Sequence, residues 1–200
     1  MTKLTSTSGY ADEVDDIFKR YEGRRSEDIL AEVLPFFPDT PSDFLDIGAG
    51  TGRDAAYYAS LGHHVWAVEP VAELRDGARH LHPHDRITWL DDGLPELRRV
   101  QALNQQFDMI TLHAVWMHLD AAERRLALTH LITLMRPGGR LFLSQRHGPI
   151  PAGRRMFEIS AEETVSLAQP MGLTTLYAQR GGLKASRECR SRCRMDPIGV

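Results

Sequence analysis

Phe44-Leu-Asp-Ile-Gly-Ala-Gly-Thr-Gly52 is an apolar run that ends in three alternating glycines, and this stretch decides the fold. A second apolar run, Val65-Trp-Ala-Val-Glu-Pro70, follows it along the chain. The residues between the two runs, 53–62, have the composition of a helix that ends at a glycine. The pattern predicts a strand, a tight turn, a helix and a second strand. Asp46 lies inside the first predicted strand, and Glu69 lies at the tip of the second.

The spacing of the glycines indicates what this unit binds. Strand–turn–helix–strand units with an acid at the end of the second strand bind the ribose of adenosine-type cofactors. Gly48, Gly50 and Gly52 are spaced G-x-G-x-G, whereas the turn that holds a pyrophosphate is G-x-G-x-x-G. The charge of Asp46 would repel a pyrophosphate and attract an ammonium group. S-adenosylmethionine has an ammonium group and a ribose but no phosphate, so it is the predicted cofactor.

The segment Leu45-Asp-Ile-Gly-Ala-Gly-Thr-Gly52 resembles the first motif of the class I S-adenosylmethionine-dependent methyltransferases. The resemblance extends over residues 10–178. It implies an α/β fold, with a doubly wound, mostly parallel sheet and helices on both faces. It also implies an enzyme that transfers a methyl group from S-adenosylmethionine to an acceptor. No nucleic-acid module or base-reading motif accompanies the core, so we expect a small-molecule acceptor.

The rest of the chain continues the alternation of strands and helices, which favours a parallel sheet covered on both faces. Further strands are predicted at 87–90, 107–113, 140–144 and 173–177. We predict a disordered N-terminus over 1–9, one methyltransferase domain over 10–180 and a basic, disordered tail over 181–200. The family normally ends in a hairpin whose last strand inserts antiparallel beside the fifth strand. Residues 181–200 lack strand alternation, so we predict that this C-terminal strand is missing or irregular.

The predicted cofactor site is built around the glycine turn. The backbone of the turn should approach the cofactor, because side chains there would obstruct it. Asp46 would meet the ammonium group, and Glu69 would accept hydrogen bonds from the ribose diol. The cofactor-binding residues predicted at the first two strands are Asp46, Gly48, Ala49, Gly50, Thr51, Gly52, Glu69 and Pro70.

Two further contacts with the cofactor are predicted, the first of them from the resemblance. In the family, an acid after the third strand contacts the adenine amine. Asp91 and Asp92 both lie at this position, and we favour Asp92 for the contact with the adenine amine. The alternative for Asp91 is that it only forms the turn after the strand. Arg24 or Arg25, on the N-terminal helix beside Tyr21, could reach the cofactor carboxylate, and we select Arg25.

The acceptor is expected beyond the carboxyl ends of the fourth and fifth strands, where ligands of doubly wound sheets lie. His113 and His147 stand at these ends, and they are the candidate catalytic bases for an acceptor that carries a proton. We interpret His118 as a structural side chain and Trp116 as a wall of the acceptor pocket. Three nearby arginines either bind an anionic acceptor or solvate a loop. They are Arg146, Arg154 and Arg155.

Composition narrows the function further. The formal net charge of −3 gives no general attraction to nucleic acid. No apolar run reaches the roughly 20 residues of a membrane span, and the N-terminus lacks the apolar stretch of a secretion signal. We therefore expect a cytoplasmic protein with no membrane partner and no nucleic-acid partner; the pattern does not indicate an oligomeric state. No metal is predicted, because His80, His82 and His84 alternate without a cysteine or acid cluster to complete a site. The two cysteines, Cys189 and Cys193, are expected to be free thiols.

Two other functions remain open from the sequence. A protein that binds S-adenosylmethionine without turnover would fit an incomplete C-terminus. A nucleotide-dependent oxidoreductase uses a similar sheet, but the glycine spacing and Asp46 disfavour it.

Overall fold

The computed structural model describes residues 13–148, 150, 153–178 and 194–199, the last of these by their backbone. Its strands are β1 (Asp43–Ile47), β2 (His64–Val68), β3 (Ile87–Leu90), β4 (Phe107–His113), β5 (Met135–His147), β6 (Tyr177–Ala178) and β7 (Arg194–Gly199). Its α-helices are α1 (Val14–Glu22), α2 (Ser26–Leu30), α3 (Arg53–Ser60), α4 (Ala72–Leu81), α5 (Arg98–Ala102), α6 (Ala121–Leu134) and α7 (Ala161–Ala168). Short 3₁₀ turns occupy Leu34–Phe36, Trp116–His118 and Gln169–Met171. None of the helices in these ranges has the length and apolar character needed to cross a membrane.

The described strands form one sheet in the order β3-β2-β1-β4-β5-β7-β6. The pairs among β1 to β5 are parallel, and β7 pairs antiparallel with both β5 and β6. The chain order reverses at β1, which lies between β2 and β4. In such a sheet, a ligand binds beyond the carboxyl ends of the strands at this reversal.

Helices cover both faces of the sheet, because successive side chains of a strand point to opposite sides. On one face, alternate strand residues such as Leu45, Ile110 and Leu143 pack in a core with Leu128 and Leu131 of α6. On the other face, Phe44, Met109 and Phe142 pack with Leu30 of α2 and Tyr58 of α3. This arrangement confirms the predicted fold class of a mostly parallel sheet between two layers of helices.

A smaller third core fixes α1 beside α4. Ile17 of α1 is fully buried against Val71 and Leu74, with the Phe18 ring packed at its edge. Gly77 of α4 allows this approach, since a Cβ there would lie 2.6 Å from Cζ of Phe18. The amino-terminal helix is therefore packed on the helix that leaves β2.

The prediction for the C-terminal strand is wrong. β7 pairs with β5 in an unbroken register from Phe142 opposite Gly199 to His147 opposite Arg194. A sheet edge offers backbone donors and acceptors to any extended segment, so pairing does not require alternating side chains. The tail predicted to be disordered thus holds a strand over 194–199; residues 1–12 and 179–193, which include both cysteines, lie outside the described residues. The strand predicted at 173–177 begins only at Tyr177.

Candidate active site

The glycine turn between β1 and α3 has the left-handed backbone that its glycines permit. Gly48, Gly50 and Gly52 have φ angles of +71°, +57° and +83°. A Cβ on Gly48 would lie 2.4 Å from Cγ2 of Val115, and one on Gly52 would lie 3.0 Å from the Trp89 ring. At Gly50 the nearest atom of the described residues to such a Cβ is 3.9 Å away. Two of the glycines therefore admit protein neighbours, whereas Gly50 leaves open space above the turn.

Asp46 lies beneath the turn with one carboxylate oxygen unsatisfied. Asp46 is only 2% exposed, and the hydroxyl of Thr111 on β4 donates to Oδ1 of Asp46 over 2.7 Å. Oδ2 is buried and has no hydrogen-bond partner among the described residues. Burial, with the nearby charge of Asp54, raises the pKa of Asp46 to about 7. A buried acceptor without a donor costs stability, which makes this oxygen a candidate for contact with a ligand.

Glu69 closes the other side of the turn. Its carboxylate accepts the N–H of Gly50 over 2.8 Å and the N–H of Val71 over 2.9 Å. Burial raises the pKa of Glu69 to about 7. Each carboxylate oxygen has a second lone pair, so both oxygens can still accept from a ligand. Pro70, which was also predicted, follows Glu69 directly at the end of β2.

The remaining residues of the turn hold protein elements together. The N–H groups of Gly48 and Ala49 donate to the carbonyl oxygen of Val68, which ties the turn to β2. The Thr51 hydroxyl donates to the carboxylate of Glu22 at the end of α1. Nε2 of His82, at the end of α4, lies 3.1 Å from the other oxygen of Glu22. Sequence analysis missed this link, because the three residues come from distant segments.

The two acids after β3 differ in their surroundings. The Asp92 carboxylate accepts the backbone N–H of Gly93 at 2.9 Å, of Arg99 at 2.7 Å and of Val100 at 2.9 Å. Asp92 therefore anchors the start of α5, a role that the sequence analysis did not assign to it. Asp91 lies between two guanidiniums, 3.4 Å from that of Arg75 and 3.7 Å from that of Arg99. Its side chain is 29% exposed.

Arg53 is an arginine beside the glycine turn, whereas the predicted Arg25 lies at the surface in this structure. Arg25 is a surface residue, with a side chain that is 74% exposed and donates to Glu27 over 2.9 Å. Arg53 follows Gly52 directly, begins α3 and donates to the carbonyl oxygen of Tyr21 over 3.2 Å. In the sequence, only the position of Arg53 directly after the glycine turn indicates that it lies beside this site.

His113, the last residue of β4, is paired with a buried carboxylate. Its Nδ1 lies 3.2 Å from Oδ2 of Asp54. Asp54 also accepts from the Ser26 hydroxyl at 2.6 Å and from the Arg53 guanidinium at 2.9 Å. Burial alone would raise the pKa of Asp54, but His113 and Arg53 hold it well below its usual range. The next residue, Ala114, has a φ of +56°, a strained conformation of the kind that clusters at functional sites.

The structure places the other two histidines and the tryptophan of this region in different surroundings. His147 ends β5, and its side chain lies outside the described part of the structure. His118 is buried with Nδ1 2.7 Å from the carbonyl oxygen of Arg155, and burial beside three arginines lowers its pKa. Its predicted structural role is confirmed. The expectation that Trp116 walls a pocket is wrong, because Trp116 is 0% exposed and its indole donates to Thr164 within the core.

Two of the arginines near the acceptor side are held by carboxylates. Arg154 donates to Glu13 over 2.8 Å. Arg155 donates to Asp120 over 2.8 Å and to Glu123 over 2.6 Å. These pairs tie the segment after β5 to the residue preceding α1 and to the start of α6, so they favour a structural role over the capture of an anion.

Comparison with known proteins agrees with the geometry. A sequence profile described as a methyltransferase domain matches residues 18–177. The chain is also 30% identical over 135 residues to a demethylmenaquinone methyltransferase of Clavibacter sepedonicus, a match that covers 65% of this chain and 52% of the relative. An uncharacterized methyltransferase of Anoxybacillus flavithermus is 27% identical over 137 residues, covering 68% of this chain and 58% of the relative. The chain thus spans little more than half the length of these relatives. It belongs to the methyltransferase-domain family, which confirms the family predicted from the glycine turn.

Solved structures share the fold at low sequence identity. The glycopeptide N-methyltransferase MtfA, complexed with S-adenosylmethionine, has a TM-score of 0.66 and 16% identity, with 88% of this chain and 93% of that chain covered. The 1,6-didemethyltoxoflavin-N1-methyltransferase of Burkholderia thailandensis has a TM-score of 0.60 and 20% identity, with 100% and 92% covered. That enzyme was crystallised with 1,6-didemethyltoxoflavin and S-adenosylhomocysteine.

Proposed function

We propose that this chain transfers the methyl group of S-adenosylmethionine to a small-molecule acceptor. The observation that carries the proposal is the buried Oδ2 of Asp46, which has no hydrogen-bond partner among the described residues and lies under a glycine turn that Glu69 also contacts. An ammonium group would satisfy that oxygen. A ribose diol would use the second lone pairs of Glu69. The open space over Gly50 is where a Cβ would obstruct a ligand.

The bound cofactor would supply a methyl group on a positively charged sulfur, ready to be attacked by a lone pair. The chain's own residues bind and orient it. Asp46 and Glu69 hold its polar ends. The glycine turn admits it, and the acids after β3 face its adenine. Since Asp92 already accepts three backbone N–H groups, we favour Asp91 for that last contact. A contact between Arg25 and the cofactor carboxylate would require Arg25 to leave Glu27.

The acceptor is proposed to be a small molecule that lies beyond the ends of β4 and β5. His113 is the favoured base for an acceptor that carries a proton, and His147 is the alternative. Glycopeptide and 1,6-didemethyltoxoflavin are named as substrates in the structural relatives, which supports this class of acceptor. A cytoplasmic location and the absence of a nucleic-acid partner remain predictions from the sequence.

Two alternatives are less well supported. A nucleotide-dependent oxidoreductase would bring a pyrophosphate close to Asp46, whose ionised form would repel it. A protein that binds the cofactor without turnover was suggested by the expected loss of the last strand. That argument weakens because β7 is in place beside β5.

Calorimetric titration with S-adenosylmethionine and S-adenosylhomocysteine tests the proposal. We expect both to bind, and Glu69→Ala should weaken the binding of each by about 1.5–3 kcal/mol, the cost of lost charge-assisted hydrogen bonds. Glu73→Ala is the matched control, because Glu73 is an exposed glutamate in the first turn of α4. Circular dichroism should show that both variants are folded. Binding of reduced nicotinamide cofactor in place of these ligands, or equal affinity in Glu69→Ala, would contradict the proposal.

A further inference from the structure

Asp54 is a buried carboxylate that side chains of three separate elements approach, of which Ser26 and Arg53 donate hydrogen bonds to it and His113 lies within ion-pair distance. Ser26 begins α2, Arg53 begins α3 and His113 ends β4. Both carboxylate oxygens are used, since Ser26 and Nε of Arg53 reach Oδ1, whereas Nη2 of Arg53 and the imidazole of His113 reach Oδ2. The residue is 7% exposed. Its carboxylate is thus fixed in place, and because His113 and Arg53 lower its pKa, it stays ionised at neutral pH.

A fixed carboxylate beside one ring nitrogen determines the tautomer of a histidine. An ionised carboxylate only accepts hydrogen bonds, so it favours the form of His113 that carries hydrogen on Nδ1. In that form the lone pair is on Nε2, which can take a proton. The same carboxylate stabilises the imidazolium once the proton has arrived.

His113 stands where a reacting group would be needed. Thr111 pairs in register with Asp46 and donates to it, and His113 lies two residues further along the same face of β4. The strained Ala114 and then Val115 follow, and a Cβ on Gly48 would clash with Val115. The end of β4 is therefore packed directly against the glycine turn.

We propose that Asp54 is a positioning residue that holds His113 in the Nδ1–H form, so that Nε2 accepts the proton of the acceptor during methyl transfer. This inference rests on the proposed function and adds the class of acceptor, one whose attacking atom bears a proton, such as a hydroxyl group. The acceptor oxygen forms the new bond to the methyl carbon, and its proton passes to Nε2. The bond from that carbon to sulfur breaks, and both of its electrons remain on sulfur.

Nitrogen NMR of the ligand-free protein labelled at histidine tests the positioning role without any assay of activity. His113→Gln identifies the signals of His113 by their loss. In the wild type we expect hydrogen on Nδ1. In Asp54→Asn, the side-chain amide can donate to Nδ1, so the Nε2–H form should rise to the major population. Asp39→Asn, a change at an exposed aspartate, is the control and should leave the tautomer as in the wild type.

Hydrogen on Nε2 in the wild type would overturn the inference, and so would an unchanged tautomer in folded Asp54→Asn. If Asp54→Asn does not fold, the tautomer of His113 in the wild type alone tests the inference. Ser26→Ala then serves as the second variant, because it removes one donor and keeps the carboxylate, so the Nδ1–H form should persist. The tautomer can be read even if the wild type binds no cofactor, which separates this inference from the proposed function.

Release of S-adenosylhomocysteine in the presence of a panel of acceptors tests the acceptor class. For hydroxyl acceptors, Asp54→Asn should lower kcat by about 10²–10⁴, the range of general-base catalysis, when both proteins are saturated with cofactor. For acceptors with a free lone pair and no proton to lose, such as tertiary amines, the variant should match the wild type. Equal losses for both kinds of acceptor would overturn the assignment of a base.

Discussion

The carboxyls of Asp46 and Glu69 are buried, and both have a pKa raised to about 7. In the free protein they therefore hold protons below neutral pH. In the proposed site, an ammonium group would pair only with the ionised form of Asp46, so cofactor binding at low pH would release a proton. Affinity should rise with pH, by up to about tenfold per unit for each proton released, until the carboxyls are ionised near pH 7. It should stop rising above about pH 8, where an α-amino group loses its own charge.

Calorimetry between about pH 5.5 and 8.5 would measure this dependence. Asp46→Asn keeps the shape of the side chain and cannot ionise, so its affinity should be weaker and should vary less with pH below 7. Asp85→Asn, at an exposed position before β3, should follow the wild type. A wild-type affinity that is flat across this range would show that Asp46 and Glu69 do not bind the ligand as carboxylates.

The three glycines of the turn should respond differently to the smallest substitution. Among the described residues, no atom lies closer than 3.9 Å to the Cβ that Gly50→Ala adds, so the fold should survive with about 1 kcal/mol of backbone strain. Cofactor binding should fall sharply, because that Cβ enters the proposed ligand space. Gly48→Ala places its Cβ 2.4 Å from Val115 and should lose more stability, about 2–4 kcal/mol.

Chemical denaturation and calorimetry on the same two proteins would separate these effects. The comparison of Gly50→Ala with Gly48→Ala distinguishes a glycine that leaves room for a ligand from one that leaves room for a neighbouring side chain. Full affinity in a folded Gly50→Ala protein would place the ligand elsewhere.

At the scale of elements, β7 covers an edge of β5 that would otherwise be open. Removing residues 194–200 should expose the backbone groups of β5 from 142 to 147. We expect a lower melting temperature and self-association, because uncovered edges pair with other chains. Removing residue 200 alone is the control. Thermal unfolding and analytical ultracentrifugation would measure both effects, and a truncated protein with the stability and the association state of the control would contradict the expectation.

The helix caps show which local features can be predicted from sequence. Asp120 and Glu123 form a complete capping box at the start of α6, as the spacing of the two residues predicts. The anchoring of α5 by Asp92 was not predicted, because Asp92 acts across several residues. Local rules describe neighbours along the chain, whereas Asp92 reaches Arg99 and Val100 through a turn.

At the scale of the whole molecule, the parallel sheet and the glycine turn were predictable because each depends on short segments. The pairing of Asp54 with His113, and that of Thr51 with Glu22, joins residues far apart in sequence. Neither pair has a local pattern, so both were missed, although the sequence analysis named His113 itself as a candidate base. The C-terminal strand was missed for a different reason. This strand pairs through its backbone groups. Strands are predicted from the alternation of apolar and polar side chains, which gives no information about backbone pairing at a sheet edge.

The contact between α1 and the glycine turn has a consequence for rates. Tyr21 of α1 faces the open space at Gly50, where its ring would lie 4.0 Å from an added Cβ, and Glu22 is bonded to Thr51. A ligand bound on the turn would therefore lie against α1, and its residence time should follow the opening of that helix. Phe18→Ala should weaken the docking of α1 by about 1–2 kcal/mol, which speeds ligand dissociation about 5- to 30-fold. Stopped-flow displacement would measure the rate, with the exposed Lys19→Ala as control. Equal dissociation rates would mean that the ligand leaves by another route.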